Sequence, residues 1–270
     1  MQPFSGVRLL DITHVLAGPF AAYQFAVLGA DVIKVEPPDG DLTRFAYPRV
    51  GSVSTYFTQQ NVGKLNISLD LKRPEATAII RTLVKECDVL VENFRPGVLD
   101  RLGLGYKTLS AASPKLVYCS INGYGHTGPY ASKGAFDATV QGMSGLMSVT
   151  GERDDLPGGG PQKVGVAVAD LFTGLYATVA ILAALRHRDA TGQGQHIDMA
   201  LLDTTVAWLA NQNANYLIGG QVPQCIGNEH PNVMPYQTFR TRDGNMIIAT
   251  GNDGQYQRLC VAAGVPDAAE

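Results

Sequence analysis

The sequence predicts an α/β protein: an open, Rossmann-like parallel sheet with flanking helices, followed by a smaller α+β domain. Three observations carry this. Short apolar runs of strand length recur at residues 7–12, 31–36, 89–91 and 116–121. Segments with helical apolar spacing separate them, so the connections read as βαβ units and the strands as parallel. Toward the C-terminus, apolar runs at 236–239 and 246–249 flank Asp243-Gly244, a hairpin signal. The large domain is expected over 1–219 and the start of the small one over 220–270.

Taken in order, the first run ends near Asp11, and Gly18-Pro19 opens a periodic segment through Leu28. Proline is harmless in a first helical turn, where its missing N–H has no partner to lose. Ligands of parallel sheets lie outside the carboxyl ends of the strands, here residues 13–18 and 37–44. Residues 64–72 alternate polar and apolar like a half-buried strand, and Arg73-Pro74-Glu75 starts a helix with Ile79, Ile80, Leu83 and Val84 as its apolar positions. Lys64, Lys72 and Arg73 read by themselves as surface residues. The strand at 89–91 runs into Glu92-Asn93-Phe94-Arg95-Pro96-Gly97.

After the strand at 116–121, Gly123-Tyr124-Gly125-His126-Thr127-Gly128 satisfies Gly-x-Gly-x-x-Gly. In a dinucleotide site the third glycine enters a helix packed on the sheet. Here Pro129 follows Gly128 and the next helix begins only near Phe136, so the stretch reads as a loop whose amides can approach a ligand closely. These amides, or those of Gly227-Asn228, are candidates to stabilise a developing oxyanion. A helix over 136–148, a glycine-rich linker over 151–160, a strand at 196–199 and helices over 201–218 and 253–263 complete the reading.

Residues 164–185 stand apart, because this largely apolar run carries one charge, Asp170, before Arg186-His187-Arg188 closes it. Its length would suit a membrane span. Asp170 inside a span would cost about 2.5–3.5 kcal/mol, and Gly165, Gly174 and the alanines suit close packing in a soluble interior. As an N-cap an aspartate contributes about 1 kcal/mol. The helix dipole and the unpaired amides of a helix start are expected to hold Asp170 ionised, which makes it a candidate carboxylate nucleophile.

The net charge of −3 carries no electrostatic footprint for nucleic acid, so any phosphate binding must rest on local cations. Cys87, Cys119, Cys225 and Cys260 are scattered without Cys-x-x-Cys spacing, which indicates neither a zinc site nor a disulfide framework. No metal is expected, and reduced, cytoplasmic surroundings fit. The N-terminus shows no secretory pattern.

The run Val168-Ala169-Asp170-Leu171-Phe172-Thr173-Gly174, followed by Ala180-Ile181-Leu182-Ala183-Ala184-Leu185 and by Thr191-Gly192-Gln193-Gly194-Gln195, resembles the family III CoA-transferases. This is the group of formyl-CoA and carnitine CoA-transferases, and the likeness extends from Leu10-Asp11 to about Gly251. The resemblance implies an interlocked-dimer fold and CoA transfer from an acyl-CoA to a small carboxylic acid through an aspartyl-CoA thioester on Asp170. CoA would be a co-substrate, with no tightly bound cofactor and no nucleic-acid or membrane partner. It further implies that His14 and Val15 lie against CoA, that Leu69, Lys72 and Arg101 meet its nucleotide and phosphates, and that Asn93, Phe94 and Lys133 complete the site. The phenyl ring would cover adenine, the Asn93 amide would reach polar atoms of CoA, and Lys72, Arg101 and Lys133 would gather into one basic cluster.

The chain also departs from the family pattern. Leu16 stands where formyl-transferring members have glutamine, and Pro37-Pro38 where they have arginine, so formyl or oxalyl specificity is not implied. Glu229-His230-Pro231-Asn232 replaces a glycine run that some members carry in a mobile loop, which suggests a different acceptor. In the related α-methylacyl-CoA racemases a histidine precedes the aspartate matching Asp137; this chain has Phe136, which cannot carry a proton. A racemase-type isomerase and a noncatalytic CoA-binding fragment are the alternatives. Family members are longer, so the chain is expected to be incomplete.

Overall fold

The computed structural model describes residues 2–269. By internal contacts the chain divides into two compact units, Met1–Ser144 with Val166–Trp208, and Gly145–Gly165 with Leu209–Glu270. This differs from the sequence boundary at 219/220 in two places, both explained below.

In the first unit the elements run β1 (Arg8–Asp11), α1 (Ala17–Val27), β2 (Asp31–Glu36), a two-strand ribbon of β3 (Arg49–Val50) and β4 (Val53–Ser54), α2 (Thr55–Asn61), β5 (Leu65–Ser68) and α3 (Pro74–Val84). Then follow β6 (Val89–Glu92), α4 (Val98–Arg101), α5 (Tyr106–Ala112), β7 (Val117–Asn122), α6 (Asp137–Met143), α7 (Val168–Thr191), β8 (His196–Ala200) and α8 (Leu201–Ala207). Six strands pair in the order β5-β2-β1-β6-β7-β8, every pair parallel. The α/β, Rossmann-like expectation is therefore met. Connectivity reverses direction between β1 and β6, which in a doubly wound sheet marks the ligand crevice.

Strand alternation sends Leu9, Val89, Val91, Val117 and Cys119 to the layer that α1 and α7 cover, and Leu10, Leu90 and Tyr118 to the opposite layer. Helix α7 is long and apolar enough to cross a membrane, yet half of its most apolar stretch is buried inside the protein. A Cβ built on its Gly174 would stand 2.7 Å from the Ala17 carbonyl oxygen, so glycine permits the close approach of α1. The helix runs past Arg186-His187-Arg188 and stops where Gly192 takes φ 75° and donates its N–H to Arg188 O at 2.7 Å.

Lys64 is not on the surface: its side chain is 1% exposed and its Nζ sits 2.8 Å from Asp11 Oδ2. The helix expected over 136–148 ends at Met143, and Gly145 at φ 90° separates it from a short 3-10 turn. The helix expected over 201–218 breaks at Trp208, which packs on Phe172 at 3.8 Å between ring centroids, and Ala210 turns the backbone at φ 50°. This break is the crossing into the second unit.

The second unit contains α9 (Asn211–Leu217), the antiparallel hairpin β9 (Tyr236–Arg240) and β10 (Asn245–Ala249), and α10 (Asp253–Ala262). The glycine-rich stretch at 151–160 is part of this unit rather than a linker. Gly160 N–H donates to Glu152 O, Gln162 N–H to Thr150 O, and Gly227 N–H to Gly151 O.

Candidate active site

The loop leaving β1 is held from below by a buried ionic network. Burial alone would raise the pKa of Asp11, but the charges of Lys64 and Lys34, with hydrogen bonds from Lys64 and Thr13, hold it at about 2. Lys34 Nζ donates to Thr13 O at 2.9 Å and lies 3.4 Å from Asp41, while Lys64 Nζ also donates to Pro19 O. The loop is thereby tied at both ends. Val15 takes φ 68°, a costly conformation for a β-branched residue, and its N–H donates to Asp41 Oδ2 at 3.2 Å.

The loop leaving β6 grips the first loop. Asn93 Nδ2 donates to His14 O at 2.8 Å, and Asn93 Oδ1 accepts the His14 N–H at 3.0 Å. The Asn93 amide thus pairs with both backbone groups of His14 instead of reaching freely into the site. Phe94 meets the His14 ring edge-on at 5.6 Å, and its N–H donates to Glu92 at 2.8 Å. Burial pushes Glu92 up to about 7, against the pull of hydrogen bonds from Ser120 and Phe94. Burial also lowers the pKa of His14, opposed by the charge of Asp41, which favours a neutral ring.

Two cavities open at this switch point. One, of about 580 Å³, is lined by His14, Leu69, Lys72, Phe94 and Arg101 among others. The other, of about 520 Å³, is lined by His14, Asn93, Phe94, Lys133, Phe136 and Asp170 among others. His14 and Phe94 border both. The structure therefore brings Asp170, Asn93 and Lys133 together and places Leu69, Lys72 and Arg101 next door. Val15 lines neither cavity and shapes the loop through its backbone. The single basic cluster expected from Lys72, Arg101 and Lys133 is split, and Lys133 Nζ sits over the Tyr130 ring at 4.0 Å.

Asp170 is the third residue of α7, and the N-cap position belongs to Ala167. The capping acceptor comes from elsewhere: Asp137 Oδ1 takes the Ala169 N–H at 2.9 Å, and Gln141 Nε2 donates to Asp137 Oδ2 at 2.7 Å. Among the described residues no donor meets the Asp170 carboxylate. Burial, then the charge of Asp137, raises its pKa to about 7. The helix start does not keep the Asp170 pKa in the ordinary carboxylate range: burial raises it, Asp137 adds a like charge, and Asp137 takes the Ala169 amide. Phe136, 79% exposed, offers no proton-carrying group beside it.

The stretch after β7 is a loop, as expected, with three of its candidate oxyanion amides already engaged. Asn122 Oδ1 accepts the N–H groups of Tyr124 and Gly125, and Asp198 accepts that of His126. These three amides are engaged by Asn122 and by Asp198 of β8, as Gly227 N–H is by Gly151 O in the second unit. The next helix begins at Asp137, so Gly128 enters no helix and the dinucleotide pattern is a coincidence of spacing. Among the described residues no group of three or more His, Cys, Asp or Glu side chains is placed to hold a metal ion.

Sequence reasoning missed Asp137, Lys34 and Asp41. Their roles depend on contacts across 21 to 32 residues of chain, and no local pattern announces them. Fold and site together define a doubly wound α/β protein with paired cavities at its switch point and a carboxylate in one of them. Residues 4–270 match CoA-transferase family III, and the chain belongs to that family.

It is 51% identical to a succinate–glutarate CoA-transferase of Agrobacterium fabrum, over 97% of this chain and 67% of that protein. It is 44% identical to the succinyl-CoA:glutarate CoA-transferase of Homo sapiens, over 99% of this chain and 60% of that protein. A crystal structure of a CAIB/BAIF family protein from Brucella suis superposes with a TM-score of 0.87 at 48% identity, covering 98% of this chain and 71% of that one. The chain thus spans 60% to 67% of the length of these two enzymes.

Proposed function

We propose that the chain carries the CoA-binding cavity and the nucleophile of a CoA-transferase that moves CoA from an acyl-CoA to a small carboxylic acid. Succinate and glutarate, the acids in the names of two of its relatives, support dicarboxylic acids as the substrate class. The observation that carries this reading is Asp170, half-buried and free of hydrogen-bond donors, in a cavity that shares His14 and Phe94 with the cavity of Lys72 and Arg101. CoA would lay its nucleotide end against Leu69, Lys72 and Arg101 and pass Phe94 toward Asp170, with Lys133 on the second cavity's wall.

The chemistry follows from the carboxylate. Ionised Asp170 attacks the thioester carbonyl, the C–S bond breaks, and an acyl-aspartyl anhydride and CoA thiolate form. The thiolate attacks the aspartyl carbon and releases the donor acid as its carboxylate. The acceptor carboxylate repeats these steps in reverse order, so the aspartyl-CoA thioester returns to Asp170 and a new acyl-CoA departs. No step moves a proton, and a dry cavity protects both intermediates from hydrolysis.

The reading includes an interlocked homodimer in the cytoplasm, no nucleic-acid or membrane partner, and CoA as an exchangeable co-substrate rather than a resident cofactor; these rest on the family resemblance. Protein incubated with succinyl-CoA and quenched in acid should carry a CoA or acyl adduct on the peptide containing Asp170. Near wild-type transfer by Asp170→Asn, with the substitution verified intact, would reject the mechanism.

A further inference from the structure

Two cations line the Asp170 cavity, Lys133 and Arg95. Lys133 is engaged by the Tyr130 ring. The Arg95 guanidinium has neither an ion pair nor a hydrogen-bond partner among the described residues. It lies against the segment that leads into Asp137: a Cβ built on Gly134 would stand 3.1 Å from Arg95 Nη2. Other walls of the same cavity are apolar, formed by Ile121, Ala135, Phe136 and Leu201.

A dicarboxylic acid brings a second charge into this half-buried space. One carboxylate must reach Asp170, and the methylenes can lie on the apolar wall, but the distal carboxylate needs a partner or it is desolvated unpaired. A guanidinium presents two parallel donors that match a carboxylate. We propose that Arg95 holds the distal carboxylate of a dicarboxylic substrate in the Asp170 cavity and so sets the preference for dicarboxylic over monocarboxylic acids. The inference rests on the CoA-transfer reading for its substrate class.

The test compares glutarate with pentanoate, the same carbon chain with one carboxylate fewer, as acceptors from one common acyl-CoA donor. Taking the ratio of the two kcat/KM values cancels any effect on the donor. Arg95→Gln should reduce the glutarate-to-pentanoate ratio by about tenfold to a hundredfold, the range for a good charge-assisted pair, and Arg95→Lys should recover part of it. An unchanged ratio, or equal losses for both acids accompanied by weaker CoA binding, would overturn the assignment and place Arg95 on CoA or in the scaffold. Glutarate binding to the CoA-loaded protein, read by saturation-transfer NMR, judges the assignment without turnover. Should no CoA transfer be found, the functional reading falls. Arg95-dependent glutarate binding would still support the assignment, and glutarate binding absent from the wild type or unaffected by Arg95→Gln would overturn it.

Discussion

At the scale of single residues, the charge on Asp170 answers to burial and to a neighbour thirty-three positions earlier in the chain. Burial contributes most to lifting its pKa to about 7, and the carboxylate of Asp137 adds to it. The acid form cannot attack a thioester, so activity should rise with pH through about 7 as Asp170 ionises. The acid limb of kcat/KM reports this group in the free enzyme. Asp137→Asn keeps an oxygen for the Ala169 N–H and removes the like charge, so Asp170 should ionise at lower pH. Its limb should move to lower pH without returning to 3.8, because burial remains. A limb that stays in place, or moves upward, would show that Asp137 acts through geometry and not through charge. The position of Asp170 was legible in the sequence, as one charge in an apolar run. Its protonation was not, because the helix start that should have stabilised the anion is capped by a side chain from α6.

At the scale of elements, α7 carries Asp170, the proposed nucleophile, and Gly174 sets how closely the helix approaches α1. Alanine in a helix interior is favoured over glycine by about 1 kcal/mol, yet a Cβ here would meet a backbone oxygen at 2.7 Å, which no side-chain rotation can relieve. Overpacking typically costs about 1–3 kcal/mol, so Gly174→Ala should lower the melting temperature by about 2–10 °C. An unchanged or higher melting temperature in a thermal scan would show that α1 and α7 separate without cost. The strands were readable because their apolar runs are short and bounded by polar ends. Helix ends were less so: nothing in the local pattern shows that Trp208 finds Phe172 and stops α8, or that Lys64 turns inward to meet Asp11 across 53 residues.

At the scale of the whole molecule, the proposed function asks a chain of net charge −3 to bind a polyanionic carrier with few cations, and the cations proposed for it line two cavities that share Phe94 and His14. The order of strands brings this about. The loop after β1 supplies His14, the loop after β6 supplies Phe94, and Lys72 follows β5 while Lys133 precedes α6, on opposite sides of the switch point. The sequence reading grouped Lys72, Arg101 and Lys133, because spacing along a chain does not show which side of a sheet a loop serves. The division has a measurable consequence. Arg101→Ala should raise the dissociation constant of CoA by about tenfold, near 1.4 kcal/mol, and Lys133→Ala should raise it by a smaller factor. Sites without shared partners contribute additively, so the double variant should show the product of the two factors in calorimetry. Lys72→Ala combined with Arg101→Ala should lose less than the product, because these two cations line one cavity and address the same end of CoA. A sub-multiplicative loss for Arg101 with Lys133 would instead mean that both reach one phosphate and that the two cavities close into a single basic site around CoA.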